Sequence, residues 1–526
     1  DYTPAYANPA ITFATDDMGS DLAMGGVILD VLIVIIAFIF AVTISNTIKK
    51  ESMTVGTLRA SGYTKGELVR HYLAAPVIVT FVSAIIGNIL GYTVFKELIV
   101  YMYYSNYSLP TYVTLWNPDA FIKTTIIPVV LMFVINLLVL MRMLRHTPMQ
   151  FLRCDLKKNK RKKAMRLPRW NFLSRFRLRI IFQNIPNYLI LFVGIAFISI
   201  MLAMAIGMPS TLQYYKDNTK DMMFADYQYV LKNYKDETGK EITTKNSDAE
   251  KFSMDSLLYK TDAMDEEVSI YGVEDTSKYI SLPDAKNLKE KEVYISKPFS
   301  DKYDVAVGDT VTLNAKYEKK KYLFKVKGFF EHSQSIAVFM PIEQYRTVFD
   351  KDEDAFDGFF TNTKIKDVKK DYIATVITER EITKMSNQLD HTMGSYMLYF
   401  QFLCVVLSAV LIYLLTKIII EKNEVAISMT KILGYTDGEI AKLYLLATTI
   451  VVIICAALSV LVGTLVMRSV WTVMLQSMSG WFTFIMGPLD YFKMFAFIFV
   501  GYLVVMLFDF RRIRKIPLDE ALKRVE

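Results

Sequence analysis

Seven apolar stretches of about 18 residues or more dominate this chain, near 27–47, 76–95, 122–141, 188–208, 397–418, 446–467 and 491–508. Each approaches the roughly 20 residues that a helix needs to cross a hydrocarbon core about 30 Å thick. In lipid the backbone must satisfy its own hydrogen bonds, so a run of this length and composition is restricted to a spanning helix. With 53% of its 526 residues apolar, the chain is too hydrophobic for an ordinary soluble protein.

Charge orients the spans. The loop 98–121 has no Lys or Arg, and 468–490 has only Arg468, whereas 141–180 carries 14 Lys/Arg against the single acid Asp155. Lys49, Lys50, Arg59, Lys65, Arg70, Lys422, Lys431, Lys442, Arg511, Arg512, Arg514 and Lys515 lie on the same side as that basic stretch. Short Lys/Arg-rich loops stay in the cytoplasm, which predicts a cytoplasmic C-terminus and an external N-terminal tail and 209–395 segment. The basic linker also suits anionic lipid headgroups, and membrane lipid is the expected contact there, not nucleic acid. The chain starts at Asp1 with no Met and no signal-like segment. A tail that begins outside needs a preceding span or signal, so the chain reads as the C-terminal portion of a longer protein.

A phrase occurs twice, 372 positions apart: Gly62-Tyr63-Thr64-Lys65-Gly66-Glu67-Leu68 and Gly434-Tyr435-Thr436-Asp437-Gly438-Glu439-Ile440. Around it Lys50 aligns with Lys422, Arg59 with Lys431, and Tyr72-Leu73 with Tyr444-Leu445. Leu144-Arg145-His146-Thr147-Pro148 resembles Ile513-Arg514-Lys515-Ile516-Pro517, each followed by a short amphipathic helix with Phe151-Leu152-Arg153 or Ala521-Leu522-Lys523. Two three-span units therefore run in the same direction, 1–153 and 396–526. The first is followed by a linker (154–187), the fourth span (188–208) and a 209–395 insertion. Runs such as Val268–Val273, Glu292–Ser296, Thr310–Leu313 and Tyr322–Val326 predict strands in that insertion. Helices are expected to flank it at 209–224 and 365–395, the second leading into the fifth span. The fold class is thus an α-helical transmembrane protein with two parallel three-span repeats and one extracytoplasmic α+β domain.

In each repeat the first helix is expected to leave the membrane and continue through 49–61 or 421–433. Gly62 or Gly434 then supplies the left-handed residue that ends a helix. The T-x-x-E spacing Thr64/Glu67 and Thr436/Glu439 is a capping box that starts the next helix. The product is a rigid elbow below the membrane. Gly87-x-x-x-Gly91 aligns with Ser459-x-x-x-Gly463, a small-residue spacing that permits close helix approach. Asn88 and Asn136 are read as interhelical hydrogen-bonding groups.

At these residues the chain resembles the FtsX-like/MacB-type ABC transporter permeases. Thr54-Val55-Gly56-Thr57-Leu58-Arg59-Ala60-Ser61-Gly62 is similar to the family phrase Glu-Ile-Gly-x-Leu-Arg-Ala-Leu-Gly, and Ala426–Gly434 is a looser copy. Val293–Lys297, Tyr303–Leu313, Phe324–Gly328 and Phe339–Pro341 follow the family's external-domain pattern. The family's acid at the start of the phrase is replaced by Thr54 and Ala426, with Glu51 and Glu424 two or three residues earlier. The resemblance implies a multi-pass permease of the bacterial plasma membrane. It would couple a cytoplasmic ABC ATPase dimer to movement of an external domain (mechanotransmission) that handles a peptide, lipid, lipoprotein or antimicrobial. It carries the coupling role onto Thr54, Gly56, Leu58, Arg59, Gly62, Tyr63, Thr64 and Glu67, and in the second copy onto Ala426, Ser428, Lys431, Gly434, Tyr435, Thr436 and Glu439. A complete member would have eight spans.

No G-x-x-x-x-G-K-[ST] phosphate loop occurs, so ATPase activity is expected only in a partner subunit, with no cofactor, metal or catalytic residue in this chain. Tyr101, Tyr103, Tyr104, Tyr107, Tyr112 and Trp116 read as an interfacial aromatic belt. The alternative function is a membrane sensor or scaffold whose external domain detects an envelope ligand and regulates a partner.

Overall fold

A computed structural model describes residues 9–518 except 154–170, 262–263, 284, 317–318, 334 and 477. The amphipathic segment expected around Ala521-Leu522-Lys523 lies outside the described residues. Among those residues seven helices are long and apolar enough to cross a membrane.

The first repeat begins with α1 (Pro9–Lys50), whose span occupies Gly25–Lys50 and whose first part stands clear of it. A nine-residue helix, α2 (Ser52–Ala60), follows. The ascending helix α3 (Lys65–Leu90) is extended through a π turn at Gly91–Phe95 by α4 (Lys96–Asn106). The descending helix consists of α5 (Pro118–Phe121), a second π turn at Ile122–Ile126, and α6 (Ile127–Met143), then the short α7 (Pro148–Leu152). Asn88 donates to Thr125 Oγ1 at 2.8 Å and so bonds α3 to the descending helix. Asn136 is buried on α6 with no hydrogen-bond partner among the described residues.

The single helix α8 (Phe172–Asp217) climbs to the sheet domain. Strands β1 (Tyr227–Leu231), β2 (Glu250–Lys260), β3 (Asp265–Val273) and β4 (Glu292–Ser296) precede α9 (Lys297–Tyr303). Then come β5 (Thr310–Ala315), β6 (Lys321–Phe330), β7 (Ala337–Pro341), α10 (Ile342–Val348), β8 (Gly358–Thr361) and β9 (Ile373–Thr378). The order is β3-β7-β4-β6-β5-β2-β8-β1-β9, and β2 also pairs with β3. That extra pairing closes six strands into a ring, from which β8, β1 and β9 project. Leu257, Val268, Val293, Val311, Phe324 and Val338 fill one core of the domain. The four strand runs read from the sequence are strands. The helix expected from residue 365 is not there: Ile373–Thr378 is β9, a β-branched run that pairs with β1, and the helix starts only at Glu379.

From β9 the chain enters α11 (Glu379–Lys422), which descends without a break into the second repeat. α12 (Glu424–Ile432), α13 (Asp437–Leu475) and α14 (Pro488–Lys515) complete it. α8 is the centre of this bundle, with Leu191, Ile195, Leu202 and Ala203 fully buried against α11, α13 and α14. The contacts are close because small residues line them. A Cβ on Gly463 would lie 2.6 Å from Ser199 Cβ and 2.8 Å from its carbonyl carbon, and Ser459 Oγ donates to Phe192 O at 3.3 Å.

The chain is therefore an α-helical transmembrane protein of seven candidate spans with a separate α/β domain, as its sequence predicts.

Candidate functional site

The two repeated elbows are built alike. After α1 and α11 the chain bends at Glu51 (φ −90°, ψ 20°) and Asn423 (φ −102°, ψ 8°). The sequence suggests one continuous helix here; instead each copy has a separate nine-residue helix set off by this bend. Glu51 is held by the Tyr72 hydroxyl at 2.5 Å, and Asn423 Nδ2 turns back onto Ile419 O at 2.6 Å.

Both short helices end in the same hydrogen-bonded closure. Gly62 (φ 103°) and Gly434 (φ 90°) take the left-handed conformation. The Tyr63 N–H then donates to Leu58 O at 3.1 Å, and the Tyr435 N–H to Thr430 O at 3.4 Å. Capping boxes follow. The Thr64 hydroxyl accepts from the Glu67 N–H at 3.3 Å while the Glu67 carboxylate accepts from the Thr64 N–H at 2.8 Å. For Thr436 and Glu439 the distances are 3.4 and 2.9 Å.

Beneath each elbow lies an equivalent small core. Ile48, Val55, Leu68 and Leu144 in the first copy match Ile420, Ile427, Ile440 and Ile513 in the second. Four of the residues singled out in the family phrase serve this inner face. Gly56 sits so close to α7 that a Cβ there would meet Leu152 N at 2.9 Å. Its counterpart Ser428 is buried and donates to Leu518 O at 2.8 Å. Arg59 donates to Leu144 O at 3.1 Å, and Lys431 to Arg514 O at 3.1 Å and Ile516 O at 3.0 Å. These cations cap the C-terminal carbonyls of α6 and α14, where positive charge also suits the helix dipole. Ser52, which sequence reasoning missed, donates to Phe151 O at 2.7 Å. A lone serine in an amphipathic stretch carries no signal for such a bond.

The outer face collects the rest. Thr54, Gly62, Tyr63, Thr64, Glu67, Ala426, Gly434, Tyr435, Thr436 and Glu439 are exposed, and Leu58 is half-buried. The first knob shows Met53 and Tyr63 as its large apolar groups, the second Met429, Ile432, Leu433 and Tyr435. Both knobs project from the same end of the bundle, where Lys50 at the foot of α1 lies 3.6 Å from Glu421 at the foot of α11. Glu421 also pairs with Arg512 of α14, so one carboxylate ties the repeats together.

The helix-packing glycines behave differently in the two copies. Ser459 and Gly463 are buried against α8, while a Cβ on Gly87 or Gly91 would meet nothing within 4 Å. Among the described residues no group of three or more His, Cys, Asp or Glu is placed to hold a metal.

Two segments of the chain, residues 26–148 and 398–518, match the FtsX-like permease C-terminal family. They coincide with the two repeats. No curated protein matches the chain.

Proposed function

From its two matches to the FtsX-like permease C-terminal family, we propose that this chain is an FtsX-like permease whose two elbows are coupling knobs for a dimeric cytoplasmic ABC ATPase whose cycle moves the sheet domain. The family is that of ABC transporter membrane subunits and implies association with an ABC ATPase. The observation that carries the finer reading is the duplication of one rigid, identically capped elbow on one end of the bundle. Two equivalent knobs suit a two-fold symmetric motor. The short helices are locked by the helix closure, the capping box and the small core beneath, so a push on the knob moves the spans and not the loop alone.

In this reading the elbows are cytoplasmic and the sheet domain external, as the Lys/Arg distribution favours. Thr54, Leu58, Tyr63, Glu67 and their counterparts Ala426, Tyr435 and Glu439 face the motor. Gly56, Arg59, Ser428 and Lys431 hold each knob to its repeat. The cargo is a peptide, lipid, lipoprotein or antimicrobial worked on by the external domain.

The test is the ATPase rate of the purified complex with its cognate ATPase. Replacing Gly62 and Gly434 by bulky residues is expected to lower the coupled rate, because positive φ strains any L side chain. An unchanged rate would sink the coupling role.

A further inference from the structure

We infer that displacement of the second elbow is delivered to the sheet domain by α13, acting as a rod, through a buried latch formed by Lys302 and Glu266. The inference rests on the coupling reading above.

The latch is an ion pair between α9 and β3 with side chains 0% and 1% exposed. Charges this deeply desolvated persist only where their remaining hydrogen-bonding capacity is met. Here the membrane bundle meets it. Lys302 Nζ donates to Met478 O at 2.6 Å and Gly480 O at 3.0 Å. Glu266 Oε1 accepts from the Gly480 N–H at 2.9 Å and the Ser479 hydroxyl at 3.2 Å, and Oε2 from the Tyr303 hydroxyl at 2.8 Å. The turn just after α13 is thus bonded to the domain through backbone groups. That turn is itself braced. Trp471 Nε1 donates to Phe482 O at 3.0 Å, the Thr483 N–H to the Tyr215 hydroxyl at 2.9 Å, and Thr211 both donates to and accepts from Ile485.

α13 links this latch to the elbow in one piece. Its N-cap is Thr436 of the capping box, and it runs 39 residues without Pro or a π turn to Leu475. At 1.5 Å per residue the rod is about 58 Å long. Its repeat counterpart is less regular, since α3 carries Pro76 and passes through a π turn at Gly91–Phe95 on its way into α4. The α11 stalk joins the domain elsewhere, at β9, while α8 leads into β1 and is also bonded to the turn after α13 through Tyr215 and Thr211. Strands β1 and β9 are neighbours and form the end of the projecting arm.

The experiment uses the full chain with its cognate ATPase in lipid nanodiscs, Cys154 replaced by Ser. Spin labels are placed at Lys320→Cys in the sheet domain and Tyr112→Cys in the loop after α4. With the native latch, ATP binding is expected to shift the label-to-label distance. In Lys302→Met/Glu266→Leu, which exchanges the pair for apolar side chains of similar volume, that shift is expected to be lost while the thermal midpoint is kept. Should the double variant not fold, Glu266→Gln makes the same comparison, because it removes the charge and keeps an acceptor for Gly480. Lys384→Pro, which breaks the α11 stalk, is expected to leave the shift in place. A full shift without the latch overturns the inference. Absence of any ATP-driven shift in the parent overturns the coupling reading itself, so the two failures are told apart.

Discussion

Gly463→Ala and Gly91→Ala are the same substitution at repeat-equivalent positions, and the structure gives them opposite signs. At Gly463 the added methyl would lie 2.6 Å from Ser199 Cβ, 2.8 Å from Ser199 C and 3.0 Å from Ile200 N. Two of these are backbone atoms, which cannot swing away, so α13 must move off α8. Overpacking of this kind costs about 1–3 kcal/mol. The gain in helix propensity from Gly to Ala, about 1 kcal/mol, offsets only part of it. Membrane helices associate through packing without a hydrophobic drive, which makes such displacement hard to compensate. At Gly91 nothing lies within 4 Å, so only the propensity gain remains, up to about 1 kcal/mol of stabilisation. Thermal unfolding of detergent-solubilised protein, followed by a thiol-reactive dye in a Cys154→Ser background, is the assay. The buried Cys404 and Cys455 are native reporters, and Cys455 lies on the same buried stripe of α13 as Gly463. Gly463→Ala is expected to lower the midpoint of dye labelling and Gly91→Ala to hold or raise it. Equal destabilisation at both positions, or none at Gly463, would refute the packing argument.

Gly434→Ala is expected to cost about 1–2 kcal/mol through its φ of 90° alone, since no atom crowds that site; faster hydrogen exchange of the α12 amides would report it. Arg59→Ala removes a charged donor from the end of α6 and is expected to cost about 1.5–3 kcal/mol, read as loosened hydrogen exchange over 144–153, with Arg59→Lys recovering part. In the sheet domain the Lys278 ammonium, with the Asn362 N–H, holds the Asp248 carboxyl well below the usual carboxylate range. Its folded value lies below the unfolded one, so its contribution is present above about pH 4 and lost as the pH falls through the folded value. Asp248→Asn is expected to flatten acid unfolding of the domain in that window, measured by tyrosine fluorescence.

Much of this architecture is legible in the sequence because it depends on local physics. Span length, Gly at a helix end and T-x-x-E spacing each act within a few residues, and Gly62, Thr64, Glu67 and their repeats adopt the expected geometry. The bend at Glu51 and Asn423 is not legible, since neither residue breaks a helix by propensity and the bend is fixed by Tyr72 and by a side chain folding back on its own turn. Ile373–Thr378 carries the β-branched residues of a strand, but β1, its partner, is distant in sequence. The family phrase mixes two jobs that sequence alone does not separate. Gly56 and Arg59 face inward and Thr54 and Tyr63 outward, a division set by the helix phase against α7. Lys302 and Glu266 carry no pattern at all, because their environment is assembled from three separate segments.

The repeat is symmetric where the chain would receive force and asymmetric where it would deliver it. Four core positions, the helix closures and the capping boxes of the two elbows correspond. Away from them the copies diverge in a consistent direction. In the second, half of the most apolar stretch of α13 is buried; in the first, only 6% of its counterpart is. The second elbow also shows the larger apolar surface, and its Lys431 gains Asp437 at 3.1 Å where the first copy sets Arg59 near Lys65 in sequence, a like charge. Burial resists displacement of one helix against another, because interdigitated side chains shift together or not at all. On the proposed coupling, a load on the second elbow would travel along α13 with α8 moving beside it, whereas the first copy offers its counterpart a π turn at Gly91–Phe95 and no neighbour at Gly87. In that coupling the second elbow would be the drive, and the first, joined to it through Glu421, would keep the two knobs in register.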